Sequence, residues 1–151
     1  MTISVTIETD IARPRDVVFA ALADVDRWPE WLIATGIIRV TRASSALPVT
    51  GERMTIDQRA AGRASMVQAS VTVFEAPARF VLEGRDPDGI ATVLDADLIA
   101  VDGGTRLRWS IRIDLPLRYR AFESMAAPQV RRAAALDVEA FRRRLASPAA
   151  P

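Results

Sequence analysis

Hydrophobic and polar positions alternate at the start of the chain. Ile3, Val5 and Ile7 point one way and Thr2, Ser4, Thr6 and Glu8 the other, the pattern of a half-buried strand. Pro14 then opens a helix in its first turn, with Asp16 near the positive N-terminal end and Val17, Val18, Ala21 and Leu22 as the apolar face. The run from Asp24 to Trp31 breaks that helix, and a short second helical turn is expected from Pro29 to Leu32. From Gly36 to Leu115 strand follows strand. The pattern predicts strands over 36–43, 52–60, 63–75, 79–85, 90–101 and 105–115, with turns at Gly62, Pro77, Pro87-Asp88-Gly89 and Gly103-Gly104. From about Tyr119 to Ala146 the spacing is helical, and Pro128 marks a kink or a late start. Residues 1–146 read as one domain and 147–151 as a frayed tail.

The turns also predict which residues share a face, because partners across two antiparallel strands do. With Ala61-Gly62 as the turn, Ile56 meets Val67, Met54 meets Ala69 and Gln58 meets Ser65. At Pro77, Val73 meets Phe80, Val71 meets Leu82 and Ala69 meets Gly84, with Arg79, Val81, Glu83 and Arg85 pointing outward. With Gly103-Gly104 as a two-residue turn, Leu98 meets Trp109, Ala96 meets Ile111 and Leu94 meets Ile113, while Asp95 pairs with Arg112 on the far side. The three hairpins agree on one apolar sheet face, interrupted only by Gln58, Ser65 and Thr92. Asp95, Asp97, Arg108 and Arg112 fall outside it. A helix must cover such a face. At ~100° per residue the last segment puts Val130, Ala134, Val138, Phe141 and Leu145 on one side, flanked by Ala133 and Ala140. Arg131, Glu139, Arg142 and Arg143 lie opposite. Small residues on the helix, and Gly84, Ala69 and Ala96 on the sheet, mean either close packing or an enclosed space.

Composition narrows the chemistry. Half of the 151 residues are hydrophobic, enough for a real core in a chain of this length. The sequence holds no histidine, cysteine, lysine or asparagine, and all 20 basic residues are arginine. The usual zinc ligands are missing, as are serine–histidine and cysteine–histidine nucleophile pairs and a Schiff-base lysine. No metal and no cofactor is therefore expected. A net charge of +1 gives no reason to expect a nucleic acid. No stretch is long and apolar enough to span a membrane, and no leader segment is evident, so a soluble, cytoplasmic protein is expected.

The order of strand, short helices, long antiparallel sheet and long final helix resembles the START-like (SRPBCC) helix-grip superfamily. That superfamily includes polyketide cyclases/dehydrases and lipid-transfer proteins. The resemblance is carried by Pro14-Arg15-Asp16-Val17-Val18-Phe19, Leu22-Ala23-Asp24 and Trp28-Pro29-Glu30-Trp31. Later echoes are Phe74-Glu75-Ala76-Pro77-Ala78-Arg79-Phe80 and Asp102-Gly103-Gly104-Thr105-Arg106-Leu107. It spans nearly the whole chain. It implies an α+β fold in which a curved antiparallel sheet of about seven strands grips a long C-terminal helix, with two short helices after the first strand. It also implies an apolar cavity between sheet and helix. These motifs are a helix start, a hairpin corner and a tight turn, and none is a catalytic signature.

The candidate cavity is expected to be lined by Trp31, Met54, Ile56, Gln58, Val71, Phe80, Leu82, Leu94, Trp109, Ile111, Phe122, Met125, Val130 and Ala134, with a volume of ~300 to 1,000 Å³. Trp28 and Trp31 are either a structural corner or cavity wall. Trp109 is either core or a platform for a ring system. Met54 and Met125 are adaptable apolar surfaces. Asp137 falls inside the apolar stripe of the last helix, so it is either ion-paired with Arg13 or Arg144, or an acid at a wet cavity. Tyr119 is a second candidate acid/base group at the mouth, while Glu123 is expected on the surface. Two functions follow: a binder of a small apolar or aromatic ligand, lipid-like or polyketide-like, or a cyclase/dehydratase-type enzyme using the same cavity. A homodimer stays open.

Overall fold

The computed structural model describes residues 2–146, so the expected tail at 147–151 lies outside the described residues. Seven strands form one antiparallel, curved sheet: β1 (Thr2–Ile11), β2 (Ile37–Thr41), β3 (Arg53–Ala60), β4 (Arg63–Glu75), β5 (Arg79–Arg85), β6 (Ala91–Val101) and β7 (Gly104–Asp114). Their order is β1-β7-β6-β5-β4-β3-β2. Helix α1 (Arg15–Ala23) and a 3-10 helix (Val25–Glu30) carry the chain from one sheet edge to the other. A second 3-10 helix (Leu117–Phe122) leads into the long helix α2 (Glu123–Ala146), which contains Pro128.

The β3–β4 register is the expected one: Ile56 faces Val67, Met54 faces Ala69 and Gln58 faces Ser65. Between β4 and β5 a bulge intervenes between Val71 and Val73, so Phe80 faces Phe74 and not Val73. The Val71–Leu82 and Ala69–Gly84 pairs, beyond the bulge, stand as expected. Val81 is on the outer side yet buried, opposite Val73 and Asp95. The β6–β7 hairpin differs from expectation by two residues. Leu98 faces Leu107, Ala96 faces Trp109 and Leu94 faces Ile111, and Asp95 faces Ser110. The turn is Asp102-Gly103, with Gly103 at positive φ, a dipeptide suited to tight hairpins. Gly104 belongs to the strand, because a side chain there would collide with the backbone of Ile11. A two-residue slip preserves the alternation, so the inward face is unchanged. The outward charges pair on the surface: Arg79 holds Asp95 at 2.9 Å and Asp97 at 3.7 Å.

In α1 the buried face is Val18, Phe19, Leu22 and Ala23, and Val17 is exposed. Phe19 replaces Val17 on that face because it reaches Phe74, with ring centroids 5.3 Å apart. The second helical turn begins earlier than expected, at Val25, and buries Trp28 completely.

Trp28, Trp31, Trp109, Phe80 and Phe141 form a cluster with centroid separations from 4.7 to 6.5 Å. Trp28 donates its indole N–H to the carbonyl of Leu22 at 2.8 Å. Four of the five contacts are edge-on, the arrangement favoured by ring quadrupoles and worth about 0.5–1.5 kcal/mol per pair beyond burial. The cluster joins the short helices, the sheet and the C-terminal half of α2 into a solid core. Against the sheet, α2 makes its main contacts with β1. Over β3 to β6 it stands off.

Candidate functional site: a cavity under the first half of helix α2

Where α2 stands off, the sheet presents Ala69 and Gly84 and the helix presents Ala126 and Ala133. The result is a cavity of about 340 Å³. Gly84 sets its floor: a Cβ there would lie 2.6 Å from Cγ1 of Val67 and 3.4 Å from Cβ of Ala69. Ile56 and Val67 rise on one side and Leu82, Leu94, Ile111 and Ile113 on the other. Val130 and Gln129 of α2 close the top, and Ala34, Thr35 and Ile37 form a further wall.

The Ala34–Thr35 wall is built by specific bonds. Gly36 has φ +87°, and a side chain there would overlap the carbonyl of Arg59, so only glycine lets the segment lie on β3. Arg59 N–H donates to Gly36 O at 2.9 Å. The Gln58 amide donates from Nε2 to Thr35 O at 3.0 Å. Asp137 holds the same segment to α2: its two carboxylate oxygens accept the backbone N–H groups of Ala34 and Thr35, each at 2.8 Å. Burial pushes the Asp137 carboxyl above its ordinary value, and the bonds from Thr35 and Ala34 pull it part of the way back.

These bonds correct both readings of Asp137. It has no arginine partner: Arg13 donates to Leu145 O and Arg144 reaches Glu30. Nor does it line the cavity; it sits behind the wall, 2% exposed. Tyr119 is also outside the lining, half-buried under the guanidinium of Arg118 at 5.0 Å. Of the residues expected around the cavity, Ile56, Gln58, Leu82, Leu94, Ile111 and Val130 surround it. Trp31, Met54, Val71, Phe80, Trp109 and Ala134 do not, because they are consumed by the solid core. Phe122 and Met125 project into solvent instead. In place of the expected Ala134, its neighbour Ala133 meets the cavity, beside Ala126, Gln129 and Val130 of the same helix. Val67, Ile113, Ala69 and Gly84 already lay on the inward face by register, so the alternation was the signal for them. For Ala34 and Thr35 no local signal existed, since their place depends on a carboxylate about a hundred residues later.

Among the lining residues the polar side chains are Thr35, Gln58, Arg59, Thr92 and Gln129. Strand alternation puts Gln58 inward and the Arg59 side chain on the other side of β3. No Asp, Glu or Tyr lines the space. No cluster of acidic residues among the described residues is arranged to hold a metal ion. No helix of the described residues is long and apolar enough to cross a membrane. A mostly apolar space with a few amide and hydroxyl groups has the chemistry to shelter an apolar molecule from water.

A curved antiparallel sheet wrapped on a long C-terminal helix, with a cavity between them, defines a START-like helix-grip protein. Residues 2–146 match the family described as polyketide cyclase / dehydrase and lipid transport, and the chain belongs to that family. Among solved structures it is similar to the Zhui aromatase/cyclase from Streptomyces sp. R1128, with TM-score 0.76, 14% identity, and coverage of 97% of this chain and 94% of that one. It is likewise similar to a START superfamily protein from Mycobacterium smegmatis (TM-score 0.75, 11% identity, 95% and 97% covered). A third is Ara h 8.0201 (TM-score 0.71, 15% identity, 98% and 100% covered). At these identities the likeness is one of fold. No curated protein matches the sequence.

Proposed function

We propose that this protein binds a small apolar or aromatic molecule, lipid-like or polyketide-like, in the cavity between the sheet and the first half of α2. The observation that carries the reading is the lining: an apolar enclosure of about 340 Å³ with a few neutral polar groups inside. A cavity this size, left empty, would forfeit the dispersion contacts of its walls, and filling it with leucine or phenylalanine would be simple. Instead the walls are kept small, at Ala69, Gly84 and Ala133. In this reading the guest is neutral at its buried end, since no counter-charge faces it. The amide of Gln58, anchored on Thr35, orients a hydroxyl or carbonyl group of the guest.

The family description also covers cyclases and dehydrases, and the second reading is an enzyme of that kind. It needs a proton-transfer group at the guest. Asp137 and Tyr119, the candidates, stand behind or beyond the wall, which favours binding over turnover. The proposal takes residues 1–146 as one ligand-binding domain and the cytoplasm as its place of work, without a nucleic-acid partner.

The test uses N-phenyl-1-naphthylamine, a neutral probe whose fluorescence rises in apolar surroundings. The wild-type protein is expected to bind it saturably, and Ala133→Phe, which puts a ring into the cavity, to weaken binding at least ~10-fold. Saturable binding that is unaffected by Ala133→Phe would place the probe elsewhere and defeat the proposal.

A further inference from the structure

The polar corner of the cavity has its hydrogen bonds arranged in one direction. Thr35, on the wall segment, and Gln58, on the inner face of β3, both line the space and are both half-buried. The Thr35 carbonyl can only accept, so the Gln58 amide must turn its nitrogen toward it, and Nε2 donates at 3.0 Å. In a planar amide the oxygen then points away from that carbonyl. Gln58 Oε1 receives no hydrogen bond from the described residues, and it is not sealed away from solvent. Turning the amide over would set two oxygens against each other and leave the Thr35 carbonyl without its donor, so the orientation is fixed.

Asp137 stands at the other end of the same chain of bonds. Its carboxylate oxygens hold the N–H groups of Ala34 and Thr35 from α2, each at 2.8 Å. On the far side Gly36 O accepts the N–H of Arg59 at 2.9 Å. The Thr35 carbonyl, pinned between these bonds, is left directed at Gln58. Asp137 also draws the hydrogen of the Thr35 hydroxyl, so that group too has only oxygen lone pairs to offer. The other polar side chains of the lining lie elsewhere. Gln129 is exposed on the helix, the Arg59 side chain is on the outer face of β3, and Thr92 is three strands away, about 14 Å at ~4.8 Å per strand. No carboxylate lines the space, so an ammonium group would give up its water without a counter-charge. The corner fits a neutral donor.

We propose that Gln58 Oε1 selects, among the small apolar molecules the cavity admits, those that bring a neutral hydrogen-bond donor: a phenolic or alcoholic hydroxyl, or an N–H. Asp137 is a positioning residue for this contact, acting through Ala34 and Thr35 without touching the guest. This selectivity rests on the cavity binding a guest as proposed above, and it narrows which guest. The competing contact is the second Nε2 hydrogen of Gln58, which would favour a guest that only accepts.

The experiment is equilibrium dialysis at neutral pH with three probes on one ring system. 2-Naphthol brings a donor, 2-methoxynaphthalene only an acceptor, and 2-methylnaphthalene neither. Gln58→Leu is expected to weaken 2-naphthol about 10-fold and the other two less than about 2-fold. Asp137→Asn sets an NH2 group against a backbone N–H. It should lower the preference for 2-naphthol over 2-methylnaphthalene roughly 3-fold or more, and add nothing to that loss in the Gln58→Leu background. A 2-naphthol affinity unchanged by Gln58→Leu would overturn the proposal. A loss shared by 2-naphthol and 2-methoxynaphthalene would overturn it too, since Gln58 would then be donating. Equal weakening of all three probes by Asp137→Asn would reduce Asp137 to a support of the wall and overturn its positioning role. Ala133→Phe separates the two levels. If it weakens all three probes while Gln58→Leu alters none, the binding reading stands and the donor selectivity alone falls. If the wild type binds none of them, or Ala133→Phe leaves binding unaltered, the binding reading falls and the selectivity with it.

Discussion

At the scale of single residues, Asp137 is the informative group. It is a buried carboxylate without a cation, held by two backbone N–H groups. Desolvation exceeds those bonds, so its folded pKa lies above the unfolded value of ~3.9. The folded state then binds this proton more tightly than the unfolded state does. The stability it contributes is full below the unfolded pKa and is lost as pH rises through the folded pKa. Glu139 acts in the opposite sense. Hydrogen bonding from Arg142 lowers it to about 2, although its contact with solvent screens the pair and makes its contribution small. Asp137→Asn removes the titration but replaces one acceptor by an NH2 group that faces a backbone N–H. We expect the variant to be less stable than wild type at every pH, by about 1–3 kcal/mol for the orphaned donor. The deficit should be larger near pH 4 than near pH 7. Denaturant unfolding of both proteins at the two pH values measures it, and a deficit that grows with pH would mean that the hydrogen bonds outweigh burial.

At the scale of elements, α2 has two halves with different tasks, and neighbouring alanines report them. Ala134 is fully buried in the solid core, whereas Ala133 borders the cavity. Ala134→Phe should cost ~1–3 kcal/mol or more through overpacking, and Ala133→Phe well under ~1 kcal/mol, because its ring has somewhere to go. Thermal or urea unfolding of the two variants separates them, and equal costs would mean the cavity is not free space. The same helix marks the limit of what the sequence carries. Its apolar stripe was readable, because periodicity is local. Which part of the stripe meets empty space was not. That depends on Trp28 and Trp31, which come from early in the chain and pack against Trp109 and, on the second half of α2, Phe141. The hairpins follow the same rule. The β3–β4 register was legible from Ala61-Gly62, both at positive φ. At Asp102-Gly103-Gly104 two adjacent glycines permitted two turn positions. The close approach of β1 to Gly104, a non-local fact, decided between them.

At the scale of the whole molecule, the fold divides into a rigid half and a yielding one. The rigid half is the aromatic cluster, where five rings interlock and opening any one exposes several others. The yielding half is the lip of the cavity: small side chains, the Pro128 turn of α2, and a wall segment held by two bonds to Asp137 and one to Gln58. Local opening free energy follows contact density, so entry of a guest should proceed by movement of the lip, not of the cluster. A bound guest stabilises whatever must open to release it, by about 2.7 kcal/mol at a hundred times its dissociation constant. Hydrogen exchange with saturating N-phenyl-1-naphthylamine should therefore slow at Ala34 and Thr35 and along 126–133 of α2. Amides around Trp109 and at Val138–Phe141, already protected by the cluster, should change little. Protection centred on Trp109 would mean that the guest displaces the rings and that the working cavity lies within the aromatic core. Protection confined to the lip would establish the first half of α2 as the door as well as the wall.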